Sequence, residues 1–385
     1  MSGKTRNGRP LRVLQVNSGS RNYGGVSSFL FNVYSHMNRD EIQFDFLSPE
    51  ETTYGIHRDE ISRMGGRIWE LHIKGGIVGR KIRLFFRLRK FLQKHPYQVI
   101  HINSGNFFFN LTASLSARAA CVPVRIIHSH NAGDAGMSAV KRAAFRLMKP
   151  IPEANGTHFA ACGVKAAEYM FTEKLVKSGR VKIFRNGIDT ERFAFRPAVR
   201  WEVRKELGLD SALVIGHVGR FMKQKNHGFL LEVFSAVLKE EPDAVLLLAG
   251  GGELLSEVQK KADEMGISGS VRFLGQRDDM NRIYQAMDVF VLPSLHEGLP
   301  VSGVEAQAAG LPVVFSDTIT REAEVCGHVV FESLSSAPSV WAKDILTLSS
   351  YERKDGAALV SRAGYSVASV AEELEAYYKN AVRSS

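Results

Sequence analysis

Two series of short apolar segments, separated by turn residues and amphipathic stretches, constrain the fold of this chain more than any other feature. The first series comprises Leu11–Asn17, Ile42–Leu47, Val99–Asn103, Val124–His130, Phe159–Gly163 and Val181–Asn186. The second comprises Leu213–Val218, Ala244–Ala249, Val271–Leu274, Val289–Pro293 and Pro312–Ser316. Segments of this kind are typical of parallel strands that are buried on both faces. The sequence therefore predicts an α/β fold with two Rossmann-like, doubly wound parallel-sheet domains.

The length of 385 residues suits two domains of ordinary size. We place the N-terminal domain at residues 1–186 and the second domain at residues 210–366. The segment 187–209 is charged, contains Pro197 and lacks a strand pattern, which favours a linker. Apolar residues with helical spacing predict a terminal helix at 367–385, which is free to pack back on the N-terminal domain.

Composition argues against several classes of protein. The three cysteines are far apart and form no CxxC pair, so neither a disulfide framework nor a zinc site is expected. The N-terminus lacks the pattern of a signal peptide, and no apolar run is long enough to span a bilayer. We therefore expect a cytoplasmic protein.

The charge is unevenly distributed along the chain. Residues 1–200 contain 32 Lys and Arg against 14 Asp and Glu, whereas residues 201–385 contain 18 against 26. Within the basic half, Arg80–Lys94 has the pattern of a basic amphipathic helix, which predicts contact with an anionic membrane surface at the inner face of the cell membrane. A helix packed on the core with a solvated basic face explains the same pattern. Nucleic acid is not expected as a partner, because no finger spacing or RNA-binding aromatic motif accompanies the charge.

The segment after Leu213–Val218 reads GRFMKQKN and places Arg220 and Lys225 beyond the C-terminal end of a predicted strand. Doubly wound sheets bind ligands at that edge. A guanidinium and an ammonium there would neutralise the charge of a diphosphate. Solvated loop cations explain the same residues equally well at this point.

The segment Pro293–Ala306 ends a predicted strand, forms a Gly/Pro turn and opens a helix. Amide groups near Leu299–Gly303 would be free at the helix N-terminus, where they favour phosphate. Glu297 in the turn and Glu305 two turns into the helix are placed to accept hydrogen bonds from sugar and ribose hydroxyls. An exposed helix glutamate is the weaker interpretation of Glu305, because the helix is apolar on all sides.

Three further sites follow predicted strands. Gly24-Gly25 stands before a helix and allows a phosphate to approach the backbone, unless it is only a flexible turn. His128 and His130 share one face of a strand end, and either is explained as well by a hydrogen-bonded core histidine. The turn Gly250–Gly252 lacks the G-x-G-x-x-G spacing, which argues against an NAD-dependent oxidoreductase.

Taken together, these motifs resemble the family 4 glycosyltransferases of the GT-B fold, most closely the branch that builds exopolysaccharide and capsular polysaccharide. The resemblance covers nearly the whole chain. It rests on GGVSSFL at 24–30, RNGIDTERF at 185–193, GRFMKQKN at 219–226 and HEGLPVSGVEAQAAGLPVV at 296–314. It implies two domains that face a cleft, with the acceptor bound by the N-terminal domain and the nucleotide-sugar donor by the C-terminal one. Ser302-Gly303 departs from the family pattern, in which larger apolar residues are commoner.

The resemblance also implies roles for individual residues. Catalytic roles fall to His130, or alternatively His128, and to Arg220, Lys225 and Glu297. In the family the loop cations bind the donor diphosphate, the first glutamate contacts the sugar and the second contacts the ribose. The predicted nucleotide-sugar-binding residues are Gly24, Gly25, Arg220, Lys225, Gly250, Gly275, Arg277, Glu297, Gly298, Leu299, Pro300, Val301 and Glu305.

The reaction implied is transfer of a sugar, with retention of configuration, from a UDP-linked or other nucleotide diphosphate donor to a glycan or polyprenyl-diphosphate-linked acceptor. We expect neither a cofactor nor a metal, since no Asp-x-Asp pair follows a strand. A nucleotide-sugar 2-epimerase of the same fold and a non-catalytic sugar-nucleotide-binding protein are the alternatives.

Overall fold

The computed structural model describes residues 9–18, 25–52, 54–131, 138–209, 211–354 and 356–385. The chain divides into two compact units, of which one contains Met1–Gly187 together with Val367–Ser385 and the other contains Ile188–Ser366. Within the described ranges, no helix is both long and apolar enough to cross a membrane.

The first unit is built on a parallel sheet. Its strands are β1 (Leu11–Asn17), β2 (Ile42–Ser48), β3 (Arg67–Glu70), β4 (Val99–Ser104), β5 (Val124–Ser129), β6 (His158–Ala161) and β7 (Val181–Ile183). Its helices up to Gly187 are α1 (Gly25–His36), α2 (Arg58–Arg63), α3 (Ile77–Lys94), α4 (Phe107–Ala119), α5 (Ala139–Met148), α6 (Pro150–Asn155), α7 (Val164–Met170) and α8 (Glu173–Lys177). The strand order is β3-β2-β1-β4-β5-β6-β7, and every pairing is parallel.

The second unit repeats this architecture with six strands. Its helices are α9 (Thr190–Phe193), α10 (Pro197–Glu206), α11 (His227–Val237), α12 (Leu255–Glu264), α13 (Met280–Ala286), α14 (Val301–Ala308), α15 (Pro338–Ser349) and α16 (Gly356–Val360). Its strands are β8 (Val214–Val218), β9 (Val245–Ala249), β10 (Val271–Gly275), β11 (Val289–Leu292), β12 (Val313–Ser316) and β13 (Val329–Glu332), in the order β10-β9-β8-β11-β12-β13. The predicted fold class is confirmed: both units are Rossmann-like parallel sheets.

Alternating side chains fill a core on each face of the first sheet. Val13 of β1 belongs to a cluster that includes Phe29 of α1, whereas Leu14 packs with Leu84 and Leu88 of α3 on the opposite face. The last helix of the chain, α17 (Val367–Arg383), contributes side chains to the same cluster as α1. The uniform burial of β1 thus follows from helices on both faces.

The segment 187–209, predicted as a linker, contains α9 and α10 instead, and from Ile188 onwards it belongs to the second unit. Pro197 is the first residue of α10. Proline is well tolerated there because the first helical N–H has no partner within the helix. Its presence therefore marks the start of a helix, and Val203 of that helix is buried in a core cluster of the second unit.

Candidate active site

The second sheet reverses its strand order between β8 and β11, and the loops that follow these two strands carry the predicted site residues Arg220, Lys225 and Glu297. A reversal of this kind leaves a crevice at the C-terminal ends of the strands. Two hydrogen bonds join the loops: the Leu295 amide donates to the Gln224 carbonyl, and the Gln224 side chain donates to the His296 carbonyl, each at 2.8 Å. The fold therefore holds the two motifs side by side.

Lys225 and Glu297 meet in this crevice. Nζ of Lys225 lies 2.6 Å from Oε1 of Glu297, and the two side chains are only 15% and 11% exposed. Ser294 donates a hydrogen bond to the same carboxylate oxygen at 3.0 Å. An ammonium has three N–H donors, of which this contact uses one. A largely buried cation with donor capacity beyond its carboxylate partner is suited to a diphosphate.

Arg220 is placed differently. Its side chain is 57% exposed and lies 3.4 Å from Glu253, a surface pair of the kind that contributes little to stability. The guanidinium is thus free to exchange this partner for a phosphate at small cost.

The glycine turn after β9, Gly250–Gly252, packs against the backbone of the loop that contains Arg220. Gly250 has φ 143°, and a Cβ there would lie 2.1 Å from the Gly219 carbonyl oxygen. Gly252 is equally confined, because a Cβ there would lie 2.4 Å from the Phe221 carbonyl oxygen. These two glycines allow two backbone segments to touch, a role that sequence reasoning did not assign to them.

Helix α14 begins at Val301 with Pro300 as its N-cap, and no side chain caps it. First-turn amides without intrahelical partners are a favourable site for anions. Gly298, Leu299 and Pro300 form the turn that leads to these amides. The glycine at 303 has a steric reason, because a Cβ there would lie 2.5 Å from the Phe315 ring.

Glu305 is mostly buried in α14 and accepts a hydrogen bond from the Tyr284 hydroxyl at 2.9 Å. Burial raises its pKa from 4.5 to about 7, against the opposing effects of Tyr284 and Arg192. A carboxylate in such surroundings needs further hydrogen-bond donors to be stable, and ribose hydroxyls would supply them. Tyr284 itself was not predicted, since a tyrosine in an amphipathic helix usually signals core packing alone.

At the turn after β10, Gly275 has φ 66° and Arg277 forms two hydrogen bonds of 2.7 Å with Asp279. The Arg277 side chain is thereby committed to a local ion pair. Binding of the nucleotide sugar by Gly275 and Arg277 stays a prediction.

In the first unit, His128 is fully buried near the end of β5, whereas His130 lies just beyond the strand and is partly exposed. Burial lowers the pKa of His130 to about 3 and that of His128 well below its usual value. Neither ring therefore carries a positive charge at neutral pH in the ligand-free protein. Gly25 is the first residue of α1, and Gly24 lies outside the described residues.

Across the ranges that the structure describes, no group of three or more His, Cys, Asp or Glu side chains is arranged to hold a metal ion. Metal-independent catalysis stays a prediction, as do the roles of the individual site residues.

Comparison with known proteins agrees with this architecture. The profile of Glycosyltransferase Family 4 matches residues 23–192, and that of Glycosyl transferases group 1 matches residues 212–350. EpsF of Bacillus subtilis (strain 168), provisionally named a glycosyltransferase, is 36% identical over 340 residues, which cover 87% of this chain and 86% of EpsF. An Escherichia coli UDP-Gal:alpha-D-GlcNAc-diphosphoundecaprenol alpha-1,3-galactosyltransferase is 30% identical over 62% of both chains.

Solved structures share the fold at low sequence identity. Anabaena HepE in complex with UDP has a TM-score of 0.75 at 16% identity, covering 96% of this chain and all of HepE. Sucrose-phosphate synthase of Thermosynechococcus elongatus has the same TM-score at 17% identity, with 97% of this chain and all of that chain covered. The two Rossmann-like units and these matches define a glycosyltransferase of the GT-B class. The chain belongs to glycosyltransferase family 4, which confirms the resemblance.

Proposed function

We propose that this glycosyltransferase moves a sugar, with retention of anomeric configuration, from a UDP-sugar to a glycan or polyprenyl-diphosphate-linked acceptor in the synthesis of bacterial exopolysaccharide, capsule or lipopolysaccharide. The observation that carries the proposal is the contact of 2.6 Å between Lys225 and Glu297 beside the uncapped start of α14. It brings a cation, a carboxylate and free amides to one crevice, as a nucleotide diphosphate sugar requires.

In the proposed complex, the second unit binds the donor. Lys225 and the α14 amides bind the diphosphate, and Arg220 leaves Glu253 to join them. Glu297 accepts hydrogen bonds from sugar hydroxyls and Glu305 accepts them from the ribose. As the glycosidic bond breaks, negative charge grows on the departing phosphate, and preorganised cations and amides stabilise that charge. The departing oxygen then takes the proton of the acceptor hydroxyl on the same face of the sugar.

Two comparisons support the choice of donor and acceptor. HepE was solved with UDP, and separately with UDP and glucose, which favours a UDP-linked donor here by similarity of fold. The Escherichia coli relative bears a name that specifies a diphosphoundecaprenol-linked acceptor. A lipid-linked acceptor would require the protein to work at a membrane surface.

Helix α3 offers such a surface. Val78, Ile82 and Phe86 form one stripe and are 72%, 56% and 59% exposed. Arg83 and Arg87, two basic residues of α3, donate hydrogen bonds to carbonyls of the loop before the helix. We propose that the apolar stripe enters the interface of an anionic leaflet while neighbouring lysines contact lipid headgroups, as in interfacial helices.

The reaction itself provides the test. The chain is incubated with a panel of radiolabelled UDP-sugars and an undecaprenyl-diphosphate-linked monosaccharide, and the lipid-linked product is analysed by NMR for its anomeric configuration. Transfer with retention supports the proposal. Formation of an epimerised nucleotide sugar, or of free sugar without a glycosylated lipid, would favour an epimerase or a hydrolase instead. Binding of a UDP-sugar without turnover would identify a non-catalytic binding protein.

A further inference from the structure

A chain of hydrogen-bonded side chains lies inside the first unit, around the strand ends that carry the two predicted histidines. Tyr378 of α17 takes part, so the last helix of the chain reaches this network directly. The members other than His130 are at most 1% exposed. The network consists of Gln15, His101, Asn103, His128, His130 and Tyr378.

One backbone carbonyl determines the orientation of the Asn103 amide. Nδ2 of Asn103 lies 3.0 Å from the carbonyl oxygen of His101, and a carbonyl oxygen can only accept. The atom facing that carbonyl must therefore be the amide nitrogen. Oδ1 consequently faces Nε2 of His130, at 3.1 Å. Since Oδ1 can only accept, Nε2 of His130 carries the proton and Nδ1 carries a lone pair.

The same logic continues along a second arm. Asn103 donates its other N–H to Oε1 of Gln15 at 2.9 Å, so Nε2 of Gln15 donates to the Tyr378 hydroxyl at 3.1 Å. The hydroxyl hydrogen is then directed to Nδ1 of His101, at 2.6 Å. His101 must carry its proton on Nε2, which lies 3.1 Å from Nδ1 of His128. His128 in turn carries its proton on Nε2, the end of this arm, where the described residues provide no hydrogen-bond partner.

All three rings are neutral at physiological pH. Burial lowers the pKa of His101 and of His130 to about 3, and that of His128 well below its usual value. The network therefore determines which of the two ring nitrogens of each histidine carries the proton.

We propose that Asn103 is a positioning residue that holds His130 in the Nε2–H tautomer, so that Nδ1 of His130 accepts a hydrogen bond from a hydroxyl of the donor sugar. This inference rests on the proposed function, because it assigns the sugar as the hydroxyl donor. It makes His130 an acceptor in the site, and not an acid or a cation. The arm through Tyr378 sets the tautomers of His101 and His128 separately.

Nitrogen NMR of the ¹⁵N-histidine-labelled chain tests the tautomers without a substrate. Long-range ¹H–¹⁵N correlation spectra distinguish a protonated ring nitrogen from one with a lone pair, and the His130 signals are identified by their loss in His130→Gln. We expect His101, His128 and His130 all to be Nε2–H. Observation of His130 as the Nδ1–H tautomer or as an imidazolium would overturn the proposal.

Two variants separate the arms. Asn103→Ala removes the acceptor for Nε2 of His130 and should give a mixture of His130 tautomers. Tyr378→Phe should disturb the His101 and His128 signals while His130 stays Nε2–H. Tyr377→Phe is the matched control, because its hydroxyl donates to the Phe159 carbonyl at 3.1 Å outside the network. Equal changes in Tyr377→Phe and Tyr378→Phe would contradict the assignment.

Binding measurements then test the sugar contact. We expect Asn103→Ala to weaken binding of UDP-glucose by about 2- to 12-fold, the value of one hydrogen bond, with binding of UDP unchanged. Tyr378→Phe should leave both affinities within about 2-fold, because the Tyr378 hydroxyl bonds Gln15 and His101 and contacts neither Asn103 nor His130. An equal loss for UDP and UDP-glucose in Asn103→Ala would show a merely structural role and reject the proposal. If wild-type protein binds neither ligand, the proposed function fails while the tautomer assignment still stands on the NMR.

Discussion

The environment of Glu305 predicts that a substitution which weakens donor binding will stabilise the protein. Burial raises the pKa of this carboxyl from 4.5 to about 7 in the folded chain. The folded protein therefore binds the proton more tightly than the unfolded chain does. The free energy of unfolding must then fall as pH rises from about 4.5 through 7, since the ionised carboxylate is disfavoured where it is buried. The difference between the two pKa values corresponds to a loss of about 3 kcal/mol in the free energy of unfolding above pH 8, at about 1.36 kcal/mol per pH unit.

Glu305→Gln removes this cost and keeps an oxygen that accepts from Tyr284. We expect the variant to raise the free energy of unfolding by about 3 kcal/mol at pH 8 and by almost nothing at pH 4.5. Denaturant unfolding followed by tryptophan fluorescence measures the difference, because Trp341 is fully buried in the same unit. Glu253→Gln is the control, since that side chain is 57% exposed and should change stability by less than about 0.5 kcal/mol. Equal effects of Glu305→Gln at the two pH values, or a loss of stability at pH 8, would refute the reasoning.

Three further predictions concern the loops and the membrane surface. Lys225→Met should lower kcat by about 10²- to 10³-fold. Lys223→Met, which alters an exposed cation of the same loop, should leave kcat within a factor of about 2. Similar rates for both variants in a transfer assay would contradict the role of Lys225. Gly250→Ala should lower the free energy of unfolding by about 1–3 kcal/mol, because its Cβ would overlap a carbonyl oxygen. Gly269→Ala places its Cβ in open space and should be nearly neutral. Equal denaturation midpoints for the two variants would contradict the steric role of Gly250. Ile82→Ser should reduce flotation with phosphatidylglycerol vesicles, because it removes apolar area from the stripe that enters the interface, and an unaltered bound fraction would argue against the α3 surface.

Much of the fold could be predicted because interior parallel strands carry an unambiguous signal. β1 and β4 are apolar enough to be recognised alone, since helices cover both of their faces. Two of the four edge strands, β3 and β13, were not predicted, because they lack this signal. β3 contains Arg67 and Glu70, and β13 is only partly buried, so neither has the continuous apolar pattern of an interior strand.

The candidate site was predictable where its residues lie in short motifs that directly follow predicted strands. Lys225 and Glu297 were expected in one pocket because each follows a strand at the same sheet edge. The network around His130 had no such signal, since the contact between Tyr378 and His101 joins residues 277 positions apart. A tyrosine with helical spacing indicates packing, and only the folded chain shows that its hydroxyl meets a buried histidine.

The central claim is that the loops after β8 and β11 bind a diphosphate through Lys225 and the start of α14. Isothermal titration calorimetry of wild-type protein and Lys225→Met with UDP and with uridine tests it most directly. The claim predicts that UDP binds wild-type protein far more tightly than uridine does, and that Lys225→Met lowers the affinity for UDP at least tenfold while uridine is unaffected. UDP binding that is no tighter than uridine binding, or that is unchanged in Lys225→Met, would contradict it.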